Sequence, residues 1–172
     1  MIPYFAYGSN LHPLRLTERL PSARLVGVSE LPHYRLIFHK KSYDGSSKCN
    51  LIHTGSEADR IYGAIYNIDQ AHKPVLDRFE GKGRGYLDTH LTLQHQGREY
   101  ACFTYLAQQS YIVGHLKPYH WYKQLVVLGA RYLQFPDSYI CSIDEVDSVE
   151  DQDENRRIEN QILIEKIINY SH

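Results

Sequence analysis

The sequence predicts an α+β fold built round a strongly twisted or barrel-like sheet, and three observations carry that prediction. Strand-like runs, continuously apolar or alternating, recur at 2–7, 24–38, 49–54, 61–68, 86–94 and 99–106. Helical patterns are few and dispersed among them. Regular alternation of strand and helix, the mark of a parallel doubly wound sheet, is absent. A chain of 172 residues fits one compact domain with room for an appendage.

The first run, Ile2 to Tyr7, breaks at Gly8-Ser9-Asn10 and reads as a buried strand ending in a turn. A short helix follows, with Pro13 in its first turn, Asn10 or His12 as its cap, and Leu14, Leu16 and Leu20 as its apolar residues. Residues 24–38 are interrupted by Gly27 and Pro32, which predicts two short strands or one bent one. Lys40 to Lys48, rich in Ser, Asp and Gly, reads as an exposed loop. Strands at Cys49–Thr54 and Ile61–Ile68 flank a polar turn. Asp69 then caps a helix carrying Val75, Leu76 and Phe79, which Gly81 ends, so Glu80 stands on its last turn. A strand pair, 86–94 and 99–106, surrounds the turn His95-Gln96-Gly97-Arg98. Pro118 opens a helix with Trp121, Leu125, Leu128 and Tyr132 turned inward, and a shorter helix starts after Pro136. Residues 1–143 form the domain on this reading. Residues 144–172 form an acidic linker and an amphipathic helix whose stripe, Ile158, Ile162, Leu163, Ile167 and Ile168, serves either its own domain or a homodimer.

Composition excludes several classes of function. A formal charge of -1 gives no positive field for nucleic acid or an anionic membrane surface, and no apolar run approaches membrane-spanning length. The three widely spaced cysteines, Cys49, Cys102 and Cys141, suit reduced thiols and packing. With no leader pattern at the N-terminus, the expectation is a cytoplasmic protein. Gly81-Lys82-Gly83-Arg84-Gly85 lacks the Gly-Lys-Ser/Thr ending of a phosphate loop and reads as a flexible connection. The histidines have no metal-ligand spacing, so no metal site is expected. Ser9 is not set in the Gly-x-Ser-x-Gly of a nucleophile elbow.

Two features remain. Tyr7-Gly8-Ser9-Asn10 lies between a strand end and a helix start, where successive backbone N–H groups converge on an anion such as a carboxylate. The same residues fit an ordinary tight turn with an Asn cap. Glu80 stands at the negative end of a helix, where an unpaired carboxylate is pushed toward its protonated form, a tendency suited to general acid/base work. A surface glutamate paired with Arg78, Lys82 or Arg84 is the competing reading.

Taken together, Tyr4-Phe5-Ala6-Tyr7-Gly8-Ser9-Asn10-Leu11, Leu76-Asp77-x-x-Glu80-Gly81 and Tyr122-Lys123-x-x-x-x-x-Gly129-Ala130 resemble the γ-glutamylcyclotransferases and their γ-glutamylamine cyclotransferase and AIG2-like relatives. The resemblance spans about residues 2–143. It implies a small mixed barrel with flanking helices, to which the C-terminal helix is added, and no cofactor. It implies a small γ-glutamyl substrate converted to 5-oxoproline with release of an amino acid or amine, transferase or lyase chemistry of glutathione metabolism. Glu80 is then the acid/base, and Tyr4, Phe5, Ala6, Tyr7, Gly8, Ser9, Asn10, Tyr86 and Tyr122 bind substrate. A non-catalytic ligand-binding or scaffold member of the same fold is the alternative.

Overall fold

A computed structural model of the chain describes residues 1–170. Its organising element is β1 (Ile2–Ala6), in which Tyr4, Phe5 and Ala6 are all buried. A strand with no polar face belongs in the interior of a sheet. β1 pairs antiparallel with β5 (Arg60–Ile68) and parallel with β7 (Arg98–Ala107). With β2 (Arg24–Pro32) and β6 (Tyr86–His95) outside them, the order is β2-β5-β1-β7-β6. The β6–β7 hairpin turns on Gln96 and Gly97, both at positive φ (48° and 73°), as a two-residue loop requires.

The two outer strands curl round to meet. Ser29 Oγ donates to the Gln94 carbonyl at 2.9 Å, and His95 Nδ1 pairs with the Val28 carbonyl at 2.7 Å. Gly27 permits this approach, because a Cβ there would fall 2.2 Å from the His95 ring. The sheet is therefore mixed and barrel-like, and the interrupted run at 24–38 resolves into two strands.

The second of these, β3 (Tyr34–Lys41), forms a separate hairpin with β4 (Ser47–His53). The stretch from Lys40 to Lys48 is only in part the exposed loop its composition suggests: Lys41, Tyr43 and Gly45 are exposed, but the rest folds inward. Lys40, Ser46 and Ser47 are buried. The Asp44 carboxylate turns inward and accepts from Ser46 N (3.0 Å), Ser46 Oγ (2.7 Å) and Lys48 Nζ (2.7 Å), a side-chain turn that lets a polar segment fold against the body.

Helix α1 (Pro13–Arg19) is capped by His12, whose Nδ1 accepts from Leu14 N, which leaves the Asn10 side chain available elsewhere. Asp69 caps a 3-10 turn, Gln70–His72, that leads into α2 (Lys73–Glu80). α2 ends at Gly81 in the left-handed conformation, and Phe79 is exposed rather than inward. The glycine-rich stretch beyond it is a closed turn, with Arg84 N bonded to Gly81 O and Gly83 N to Tyr86 O, both at 2.8 Å.

Helix α3 (His120–Tyr132) is covered on two sides, which its single apolar stripe does not reveal. Tyr122, Val126, Val127 and Ala130 belong to the main core under the sheet. Of the residues expected to turn inward, Tyr132 packs on that core, whereas Trp121, Leu125 and Leu128 pack with Ile164, Ile167 and Leu163 of α5 (Glu154–Ile168). Trp121 touches both clusters. Gly129 seats the helix, since a Cβ there would lie 2.5 Å from Leu11 Cβ. α4 (Asp137–Asp144) follows, and the acidic segment after it runs back alongside the start of α3, where Val149 and His120 share a backbone bond of 2.9 Å. Ile158, Ile162 and Ile168, three residues of the expected stripe on α5, are exposed. Among the described residues no helix is long and apolar enough to cross a membrane.

Candidate functional site

The central strand delivers the chain into a narrow cavity of about 30 Å³ lined by Tyr4, Tyr7, Gly8, Ser9, Asn10, Cys49, Glu80, Tyr86, Tyr105 and Tyr122. Of the residues singled out in the sequence, the fold gathers Tyr4, Tyr7, Gly8, Ser9, Asn10, Glu80, Tyr86 and Tyr122 here. Phe5 and Ala6 do not reach it. Strand alternation turns Phe5 to the face opposite Tyr4, where its ring fills the space above Gly63, and Ala6, on Tyr4's side, is fully enclosed in the core.

After β1 the loop closes in a turn, Leu11 N bonding to Gly8 O at 3.1 Å, and among the described residues no hydrogen bond engages the amides of Gly8, Ser9 and Asn10. Gly8 is needed for room rather than for an unusual φ. A Cβ would come within 3.2 Å of Cys49 Cβ and 3.5 Å of the Tyr122 hydroxyl. The buried Asn10 side chain organises the polar end of the cavity. Its Nδ2 donates to Glu80 Oε1 (2.8 Å) and Tyr4 Oη (3.2 Å), and its Oδ1 accepts from Arg19 Nη1 (2.9 Å). Arg19 also stands 3.5 Å from Glu80 Oε1. The cation opposite Glu80 thus comes from α1, and the expected partners Arg78, Lys82 and Arg84 are not the ones used.

The rest of the motif around Glu80 fixes its helix. Leu76 is fully buried, and Asp77 accepts from the Tyr105 hydroxyl (2.6 Å) and from Lys73 Nζ (2.8 Å). Lys73 and Lys82 both reach Asp88 on β6, at 2.9 and 2.7 Å. Helix α2 is pinned to the sheet beneath it, which sets where its last carboxylate can stand.

The walls are tyrosine hydroxyls held neutral. Burial, with the Glu80 charge next, raises Tyr4 above the ordinary phenol range. Burial raises Tyr7, Tyr86 and Tyr122 well above it, with neighbouring thiol and tyrosine groups adding to the effect. Each stays an O–H group. Tyr7 donates to the Tyr105 carbonyl, Tyr86 to the Cys49 carbonyl, and Tyr122 Oη accepts from Cys49 N at 3.2 Å. Burial pushes the Cys49 thiol up to about 12, so it packs as a neutral group and offers no thiolate.

Cys49 and Tyr105 are lining residues that sequence reasoning missed. Cys49 faces the cavity beside two tyrosines that bond its backbone, and Tyr105 stands on β7 beside β1. Neither carries a linear motif; only the strand pairing brings them in. Next to the cavity, and sharing Ser9, Glu80, Tyr86 and Tyr122 with it, lies an outer recess of about 170 Å³ whose lining includes Arg15, Arg19, Lys40 and Lys48. Among the described residues no group of three or more His, Cys, Asp or Glu side chains is placed to hold a metal ion.

A mixed curled sheet whose central strand ends in an amide-rich loop, facing one carboxylate across a tyrosine-walled cavity, defines a small-molecule site. Comparison with known proteins gives the family. Residues 4–124 match the family model described as gamma-glutamyl cyclotransferase, AIG2-like. The chain is 28% identical over 167 residues to the gamma-glutamylcyclotransferase of Bos taurus, covering 92% of this chain and 84% of that protein. It is 28% identical over 145 residues to the Homo sapiens gamma-glutamylcyclotransferase, covering 79% and 73%. A solved structure of a gamma-glutamyl cyclotransferase superposes with a TM-score of 0.80 at 25% identity, covering 96% of this chain and 98% of that one. The chain belongs to the gamma-glutamyl cyclotransferase, AIG2-like family.

Proposed function

We propose that this protein is a γ-glutamyl cyclotransferase that releases 5-oxoproline and an amine or amino acid, with Glu80 as its general acid/base. The observation that carries the reading is that Glu80 Oε1 lies in the same cavity as the Tyr7–Asn10 loop, 2.8 Å from Asn10 Nδ2. In the reaction the substrate's own α-amine attacks its γ-carbonyl carbon. The new C–N bond closes a five-membered lactam and the original γ-amide C–N bond breaks. Attack within one molecule removes most of the entropic cost of bringing the reacting groups together. The amine attacks only once deprotonated, so Glu80 takes that proton and returns it to the departing nitrogen, and no water is consumed. The amides of Gly8, Ser9 and Asn10 hold the α-carboxylate and steady charge on the carbonyl oxygen. Tyr4, Tyr7, Tyr86 and Tyr122 shape the glutamyl pocket and supply neutral hydroxyls.

The test is release of 5-oxoproline from γ-glutamyl dipeptides and γ-glutamyl-lysine. Turnover by the wild type and a loss of about 10²–10⁴ in kcat for folded Glu80→Gln are expected. Full activity in that variant removes Glu80 from the mechanism. Binding of these compounds without product replaces the enzyme by a non-catalytic ligand-binding protein of the same fold.

A further inference from the structure

The outer recess holds more positive charge than its own carboxylates balance. Two of its four cations are spoken for: Arg19 faces Glu80 at 3.5 Å and Lys48 faces Asp44 at 2.7 Å. Arg15 and Lys40 have no carboxylate within ion-pair distance among the described residues, although they are only 8% and 5% exposed. Buried cations are ordinarily paired, because removing an ion from water costs several kcal/mol. The Nε of Arg15 is enclosed and finds no hydrogen-bond acceptor. The Lys40 ammonium rests 4.5 Å over the Tyr86 ring, beside Gly85, where a Cβ would fall 2.6 Å from Lys40 Cε. The fold has thus made a berth for an amine that feels Glu80 and Asp44 only at a distance and closes no ion pair with either. Burial lowers the proton affinity of both groups, and for Arg15 the neighbouring Arg19 lowers it further. An anion entering the recess relieves that cost.

Taking the cyclotransferase reading as its basis, we propose that the outer recess is the leaving-group subsite, and that it selects γ-glutamyl compounds whose departing amine carries two carboxylates, an acidic amino acid. Arg15 and Lys40 each counter one of those charges. The recess, at about 170 Å³ the roomier of the two spaces, lies beside the glutamyl cavity, and the shared lining of Ser9, Glu80, Tyr86 and Tyr122 puts the scissile amide at the junction. A leaving group with a neutral side chain leaves one buried cation uncompensated, and one with an ammonium side chain adds a fifth cation to the recess.

The experiment compares kcat/KM of the full chain for γ-glutamyl-glutamate, its near-isostere γ-glutamyl-glutamine, and γ-glutamyl-lysine linked through the lysine α-nitrogen. The expected order is glutamate, glutamine, lysine, with about tenfold or more between the first two. Lys40→Met should cut the glutamate-to-glutamine ratio by about tenfold, and Lys40→Arg should restore most of it. The ratio is the readout because a merely structural role for Lys40 lowers both rates together. Glutamine or lysine equalling glutamate, or a ratio unmoved by Lys40→Met, overturns the subsite and leaves the cyclotransferase standing. Absence of turnover on all three while other γ-glutamyl dipeptides release 5-oxoproline overturns the subsite alone, and absence of turnover on every γ-glutamyl compound overturns the cyclotransferase and the subsite with it.

Discussion

Replacing Asp151 with alanine should detach the segment that straps the last helix to the body, and the structure sets the size of the effect. The Asp151 side chain is fully enclosed, 0% exposed. It accepts from Trp121 Nε1 at 2.8 Å, from Arg156 Nε and Nη2 at 2.6 Å each, and from Asp153 N at 3.0 Å. Losing a bond to the indole costs about 1 kcal/mol and losing the two-pronged guanidinium pair about 2 kcal/mol, because Arg156 is 31% exposed and water takes over part of its charge. The sum, about 3 kcal/mol, corresponds to a Tm lower by about 6–12 °C for a chain of this length. The same group gives a pH signature. Burial alone would raise the Asp151 carboxyl, but the Arg156 and Trp121 bonds hold it at about 2. Its ordinary value is about 3.9, so the stabilisation is complete above about pH 4 and is lost as pH falls toward 2, amounting to about 2–3 kcal/mol. Calorimetric Tm of wild type and Asp151→Ala between pH 7 and 2.5 checks both statements. A gap below 1 kcal/mol at pH 7, or one that fails to narrow below pH 4, refutes the reasoning.

Asn10→Ala should lower kcat more than it raises KM, by about tenfold or more, since Glu80 loses the amide that positions it; steady-state kinetics on a γ-glutamyl dipeptide reads the split, and a pure KM effect speaks against a positioning role. Gly129→Val should destabilise by about 2 kcal/mol or more, seen as a shifted urea midpoint, because its Cβ would meet Leu11 at 2.5 Å. Tyr105→Phe should loosen α2 by removing the bond to Asp77, costing about 1 kcal/mol in chemical denaturation and leaving the cavity wall in place.

The sequence carried most of the sheet because its central strands have no polar face: Tyr4-Phe5-Ala6 and Ile61 to Ile68 admit little else. The Gln96-Gly97 hairpin was equally plain. Helix faces were harder. Trp121, Leu125 and Leu128 mark an apolar stripe, but nothing local says that it meets another helix while Tyr122, Val126 and Ala130 meet the sheet. On α5 the exposed Ile158 and Ile162 outweighed Ile164 in the pattern, although Ile164 is fully buried. In the site, motifs pointed to the loop, Glu80, Tyr86 and Tyr122. Arg19, Arg15, Lys40 and Lys48 carry no motif, and become a group only when α1 and the 34–53 hairpin are folded against the same opening.

The chain has one tryptophan, Trp121, and it serves the strap and the recess at once. Its ring lines the recess with the Lys48 ammonium 4.6 Å above it, while its N–H is buried on Asp151. The protein therefore contains its own optical probe. Emission should respond to an acidic amino acid entering from one side of the ring, and should shift to longer wavelength when acid releases the strap on the other. The two signals separate by pH and by ligand, so one unlabelled sample reports on occupancy and on docking of the last helix.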